Sequence, residues 1–323
     1  MPFPTSGNRL RRYAWVAAAV GASLVLLIPG VFGAPRQQFA HLGDFRLENG
    51  QVITGAVVGY RTAGTLNADR SNAVLVAPWF QGTTRQIAWQ IGPGKLVDSS
   101  RYFVVMVDAL GNGVSSSPST SAQQRDDAFP NFTIGDIVAS QHHLVTRTLG
   151  LTRLHAVVGV SMGGMQVFQW TVSHPHFMNK AVSIVGSPQS QPDDQQRWRD
   201  GIAWLRNPAS TRARTLLADW KPRAALNELR IEPHDQTRQA EAIMTLDISR
   251  PFAGSMERAA AAMHADLMVV STWADREVNP KPAFDLARIA RAEVLELDGR
   301  CGHQAPSCER KVLWSAVARF LDQ

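Results

Sequence analysis

Val157-Val158-Gly159-Val160-Ser161-Met162-Gly163-Gly164-Met165 decides the fold of this chain. A short apolar strand runs into a tight turn, and a helix begins at once behind it. That is the setting a G-x-S-x-G nucleophile elbow requires, and the motif means little without it. A serine on so sharp a turn sits in a strained backbone conformation, where side chains two residues to either side would collide with it. Gly159 and Gly163 remove those side chains, and Gly164 lets the helix lie close on the sheet. The turn lifts the Ser161 hydroxyl above the sheet. It also leaves the Met162 N–H at a helix N-terminus, where it can stabilise an oxyanion.

Working outward, strands and helices alternate on both sides of the elbow. Upstream, Phe45 to Tyr60 reads as a hairpin turning at Asn49-Gly50, and Asn72 to Ala77 and Arg101 to Val107 read as strands. Thr133 opens a helix with Asp136 at the third position, a variant of the capping box, and Gly150 closes it. Leu154 to Val160 feeds the elbow, Met162 to about Ser173 is the helix behind it, and Lys180 to Val185 is the next strand. Downstream come strand Asp266–Thr272, a helix over about Pro282–Ala292, strand Glu293–Leu297, a loop through His303 and a last helix Glu309–Leu321. This alternation predicts an α/β fold with a mostly parallel, doubly wound sheet. Gln189 to Met263 breaks the pattern. It is rich in Arg, Asp and Gln, with Trp198, Trp204, Trp220 and Phe252 in polar surroundings, and reads as a helical lid insertion over the sheet.

A serine needs a base to take its proton, and the base needs a third group to hold its tautomer. On this fold the chain order is Ser, then Asp or Glu, then His. Asp275 follows the strand Leu267–Thr272, and His303 lies in the loop after the last strand. Both are at carboxyl ends of strands, the edge at which open α/β sheets bind ligands. Glu277 and Asp298 compete for the acid's role. Glu277 is further into its loop, and Asp298 closes the strand next to His303. His142 and His143 fall within a helix, and His264 precedes a strand. A second oxyanion donor is expected from Pro78 to Thr83, as the amide of Trp79 or of Phe80. Asp108-x-x-Gly-x-Gly-x-Ser115 lacks the order of a dinucleotide fingerprint and reads as a glycine turn shaping the floor of the site.

Length and composition set the bounds. The 323 residues are 45% hydrophobic, enough for one large α/β domain. The net charge is +6, and Arg9, Arg11 and Arg12 supply three of these positives. The rest are scattered, which excludes a polyanion-binding surface and predicts no nucleic-acid partner. Those arginines precede an uncharged apolar run from Tyr13 to about Ala34, the order of a secretory signal over residues 1–33. The run is also long enough for an uncleaved anchor, so membrane association is open. Export to the periplasm, or anchoring at the inner membrane, is expected, with the catalytic domain over 34–323. The two cysteines, Cys301 and Cys308, read as a disulfide in an oxidising compartment, with a zinc site including His303 as the weaker alternative. No cofactor and no functional metal are expected, and the partner is a small acyl substrate.

Several stretches resemble the homoserine O-acetyltransferase family of the α/β-hydrolase superfamily. They are Ile91-Gly92-Pro93-Gly94-Lys95, Tyr102-Phe103-Val104-Val105, Phe129-Pro130-Asn131-Phe132-Thr133-Ile134-Gly135-Asp136, Ser161 to Gln166, and Cys301-Gly302-His303-Gln304-Ala305. The resemblance implies the α/β-hydrolase fold, with Ser161 as nucleophile, Asp275 as acid and His303 as base. The departures are specific. Asp108 stands where those acetyltransferases carry Asn, and Gly111-Asn112-Gly113-Val114-Ser115 replaces their glycine–cysteine loop. The insertion is shorter, and Ser187 to Gly201 does not match their Arg-containing helix. The chain is similar to a hydrolase-like branch of the family, which implies a serine acyl hydrolase working through an acyl-enzyme. An acyltransferase of the homoserine type and a non-catalytic binding protein are the alternatives.

Overall fold

Every residue of the strand Ala73–Ala77 is buried, as a strand covered on both faces must be. In the computed structural model, which describes residues 35–206 and 232–323, that strand sits inside an eight-stranded sheet. The strands are β1 Gln38–Arg46, β2 Val52–Ala63, β3 Ala73–Ala77, β4 Phe103–Val107, β5 Leu154–Val160, β6 Met178–Ile184, β7 Asp266–Ser271 and β8 Glu293–Glu296. Their order is β1-β2-β4-β3-β5-β6-β7-β8. β1 and β2 run antiparallel to each other, and β2 runs antiparallel to β4. All other pairings are parallel. The signal or anchor reading of residues 1–33 lies outside the described residues, as does the insertion from 207 to 231, Trp220 included.

Six helices matter here: α1 Ile134–His143, α2 Met162–Ser173, α3 Pro192–Arg206, α4 Pro233–Met244, α5 Lys281–Ala290 and α6 Arg310–Asp322. The period of two in the strands sorts side chains onto two faces. Leu75, Val105, Val157 and Val269 share a core with Ile137 of α1, Phe168 of α2 and Leu286 of α5. Val76, Met106, Val158 and Val270 share the other with Leu313, Val317 and Phe320 of α6. Helices cover both faces, as a doubly wound sheet requires.

Local signals hold where they were read, with two differences. Thr133 caps α1: its Oγ1 accepts from Asp136 N at 3.0 Å, and its own amide donates to the Asp136 carboxylate at 2.9 Å. The α-helix ends at His143, though, and a wider π-turn spans Leu144–Thr148 before Gly150, at φ +62°. Thr146 donates its hydroxyl back to His142 O at 2.6 Å inside that turn, a local bond that competes with regular helix. The hairpin turns at Asn49-Gly50 as expected, but β1 starts at Gln38. Its register shifts on both sides of Gly43, and this bulge interrupts the alternation.

The segment expected as an insertion leaves the sheet after β6 and returns at β7, and those two strands pair directly. Where described it is helical, with α3 and α4 packed together and a short helix at Met256–Ala261. A bridge between Gln189 and Asp247 closes its base.

Candidate active site

Ser161 stands between β5 and α2 at φ +58°, ψ −119°, a conformation a non-glycine residue keeps only when its surroundings impose it. Its amide donates to Ile184 O at 2.8 Å, tying the turn to β6. A Cβ on Gly159 would lie 2.2 Å from Gly163 O, so the crowding inferred for the elbow is real. Behind it, a Cβ on Gly186 would lie 2.6 Å from the carbonyl carbon of Gly164, and one on Gly164 3.0 Å from Gly186 Cα. Helix and strand end meet there backbone to backbone.

His303 closes a chain of hydrogen bonds. Its Nε2 is 2.8 Å from Ser161 Oγ, and its Nδ1 is 2.7 Å from Asp275 Oδ2. With Nδ1 protonated, Nε2 is the acceptor for the serine hydroxyl. The other Asp275 oxygen accepts from the amides of Glu277 at 2.8 Å and Val278 at 3.0 Å, so this carboxylate is held on both sides. Asp275 is buried while Glu277 and Asp298 are exposed, which leaves Asp275 as the acid facing His303. Burial pulls the His303 pKa down, but its hydrogen bond and charge pairing with Asp275, with Glu277 adding, outweigh this and hold it above its ordinary value.

Cys301 and Cys308 are bonded to each other. The ring they close carries His303 and leaves neither sulfur for zinc. Among the described residues no group of three or more His, Cys, Asp or Glu is placed to hold a metal ion.

Met162 begins α2, with its backbone buried beside Ser161. On the loop after β3, the amide of Gln81 is committed to Gln239 Oε1 at 2.8 Å, and that of Gly82 to Trp79 O at 2.8 Å. Trp79 and Phe80 thus remain the two candidates for a second donor. Their rings go different ways: Phe80 meets Trp198 of α3 at 4.8 Å, and Trp79 packs under Gly82. Gln166, one helical turn behind Ser161, donates to Pro78 O at 3.0 Å and accepts from Gln141 at 2.6 Å. Gln141 in turn accepts from the Trp170 indole at 2.8 Å. This buried relay steadies the start of the loop after β3.

Asp108 is fully buried and takes four donors: Thr84 N at 2.8 Å, Thr84 Oγ1 at 2.9 Å, Gln37 Nε2 at 2.9 Å and Asn112 Nδ2 at 3.1 Å. An Asn here would set an NH2 group against one of those donors. Gly111 O accepts from the Gln81 side chain at 3.1 Å, so this turn supports the loop after β3 from behind.

Three residues that matter here were not found from the sequence. Asp194 of α3 and Gln239 of α4 are buried polar groups on helices that showed only polar composition. Gln166 alone carried a signal, as the last residue of the Ser161–Gln166 stretch.

A mostly parallel sheet between two layers of helices, with a strained serine, a histidine and a buried aspartate at its carboxyl edge, is the α/β-hydrolase fold. Residues 84–219 match the α/β hydrolase fold family. Its relatives include a probable esterase of Corynebacterium glutamicum, 41% identical over 161 residues (48% of this chain, 45% of that protein). An ethyl acetate hydrolase of Pseudomonas veronii is 37% identical over 159 residues (49% and 46%). A homoserine O-acetyltransferase of Methanosalsum zhilinae is 35% identical over 181 residues (50% and 37%). The matched chain spans under half the length of these relatives. Among solved structures, an acetyl esterase superposes with TM-score 0.80 at 24% identity, covering 90% of this chain and 98% of that one. A homoserine O-acetyltransferase from Bacillus anthracis superposes with TM-score 0.78 at 23% identity, covering 90% and 98%. At that identity these structures establish the fold alone.

Proposed function

We propose that this protein is a serine acyl hydrolase, an esterase acting on a small or medium acyl group through an acyl-enzyme. One observation carries this: His303 is hydrogen-bonded at once to Ser161 and to Asp275. Ser161 Oγ attacks the acyl carbonyl carbon while His303 Nε2 takes its proton, and Asp275 stabilises the imidazolium. The carbonyl oxygen becomes an oxyanion facing the Met162 amide and that of Trp79 or Phe80. The C–O bond to the leaving group then breaks, and the departing oxygen takes the proton from Nε2. Water attacks the acyl-enzyme and gives its proton to Nε2, which returns it to Ser161 Oγ as the acid leaves.

Relatives named as esterases support water as the acceptor. So does the sequence around α3, where the Arg-bearing helix of the acetyltransferases is not matched; a transferase must hold an amino-acid acceptor by its carboxylate and keep water out. The apolar run behind Arg9, Arg11 and Arg12 supports an exported protein, periplasmic or anchored at the inner membrane, where acetyl-CoA is absent. The test supplies 4-nitrophenyl acetate or acetyl-CoA with and without homoserine and follows both products. Free acid is the expected product. O-acetylhomoserine forming faster at millimolar homoserine would establish the transferase, and near-normal hydrolysis by Ser161→Ala would end the whole assignment.

A further inference from the structure

An insertion over a hydrolase site is commonly pictured as a cover that opens, and such a cover should rest on exposed apolar contacts that part at low cost. The two longer described helices of this insertion are fastened differently. On α4, Asp235, Arg238 and Gln239 sit at spacings of three and four on one helical face, and all three are buried. Asp235 accepts from Ser119 N at 2.9 Å and Ser119 Oγ at 2.5 Å. Arg238 donates to Phe129 O at 3.0 Å and Asp127 O at 3.1 Å. Gln239 is wholly buried. Its Oε1 accepts from both the amide and the side chain of Gln81, at 2.8 and 2.9 Å, and its Nε2 donates to Leu110 O at 2.8 Å. Gln81 is the residue that turns the loop after β3, at φ +57°, next to Phe80.

The first helix holds the opposite side of the site. Asp194 near the start of α3 is buried and accepts from Asn279 N at 3.2 Å. Its ion pair with Arg197 turns that guanidinium onto Glu277 O at 3.4 Å. Asp275 itself takes the amides of Glu277 and Val278. Three successive amides, 277 to 279, are thus fixed by two carboxylates, one of which belongs to the insertion. Burial pushes the Asp194 carboxyl above its ordinary range; Asn279 and Arg197 pull it back, and the Asp275 charge adds to the rise.

We propose that the helix pair α3–α4 of the insertion is a fixed brace and not an opening cover, with Gln239 and Asp194 as positioning residues that set the oxyanion loop and the acid loop. This rests on the esterase assignment above. The helices α3 and α4 pack on each other, so the oxyanion loop and the acid loop share one support across the mouth of the site. Breaking a buried fastening should cost geometry at the reacting atoms, and a displacement of about 1 Å there can cost roughly 10²-fold.

The full chain is assayed on 4-nitrophenyl acetate, with the active-site concentration set by fluorophosphonate labelling. Gln239→Met should lower kcat roughly 10- to 100-fold, with KM within about threefold, because transition-state contacts are lost and ground-state binding is not. Asp194→Ala should lower kcat about tenfold. It should also move the acid limb of kcat/KM to lower pH, because Asp275 then grips His303 less firmly. Asp275 and Glu277 face His303 from the loop after β7, and Asp194 and Arg197 of α3 face that loop. Asp194→Asn keeps an acceptor for the Asn279 amide and should restore both kcat and the limb. Wild-type kcat and acid limb in Gln239→Met and Asp194→Ala, with Ser161→Ala inactive, would overturn the brace and leave the esterase standing. Activity surviving in Ser161→Ala would strike the esterase itself. Should Gln239→Met not fold, the Asp194 pair decides alone, and an Asn variant as slow as the Ala variant overturns the proposal.

Discussion

Two histidine sites in this molecule, one with a buried ring and one half-buried, differ by one carboxylate. At the carboxyl edge of the sheet, His303 faces Asp275, and its pKa is held above the ordinary value despite burial. On the face covered by α1 and α2, His142 and His174 stack ring on ring at 3.9 Å, among Trp170 and Phe177. Burial, with His142 adding to it, pushes His174 down to about 4, and His142 is lowered as well. His142 lines a groove of about 630 Å3 with His143, Arg147 and Phe177, and none of the serine constellation reaches it. Burial alone makes a histidine neutral and inert across physiological pH. Burial with a carboxylate on Nδ1 makes one that is oriented and can take and return a proton.

The comparison breaks most visibly at Asp275. Asp275→Asn should give His303 an environment like that of His174, lowering turnover about 10⁴-fold. In the wild type the base works when neutral, so the acid limb of kcat/KM should lie above the ordinary value near 6.5, and in the variant it should move below. A limb that stays in place would show that Asp275 does not set the base. Next comes the ring around His303, for which the stacked pair has no counterpart. The double variant Cys301→Ser, Cys308→Ser should lose about 2 kcal/mol of stability, or roughly 4–8 °C in Tm. Two reactive thiols in the denatured, unreduced protein would remove the ring from the comparison. The smallest effect belongs to His174. Its folded pKa is depressed, so its contribution to stability is present above the unfolded value near 6.5 and lost as pH falls towards about 4. Allowing for its partial exposure, His174→Phe should lose about 2–4 °C less in Tm than the wild type over that range. Equal losses would mean the ring titrates normally.

The same contrast explains what could be read from residues alone. Ser161, Asp275 and His303 were legible because each lies just beyond a strand whose period and β-branched content mark its end. The elbow adds glycines whose absence of side chains has a local cause. Gln239 and Asp194 were not legible. The partner of Gln239 lies 158 positions away and that of Asp194 85 positions away, and nothing on their own helices announces either. A polar helix face looks the same in sequence whether it meets water or a buried amide. β1 was read too short because Gly43 breaks its alternation, and α1 too long because the π-turn after it keeps helical spacing. The choice between Trp79 and Phe80 depends on where the neighbouring amide of Gln81 goes, which is a tertiary fact.

The contact between Gly164 and Gly186 has a consequence for how such a protein can change. At Gly186 every atom in the way is backbone, so an alanine there has to move a helix off a sheet; at Gly164 an alanine would press on Ser183 Oγ at 2.8 Å and on Gly186 Cα at 3.0 Å. The height of the serine above the strands is then a constant, closed to adjustment by single substitutions. New substrates must be accommodated by remodelling the rim, where loops accept replacement and insertion. Here Phe80 and Trp198, one on the sheet's loop and one on the insertion, are the first surfaces a laboratory selection for larger acyl groups would be expected to rewrite.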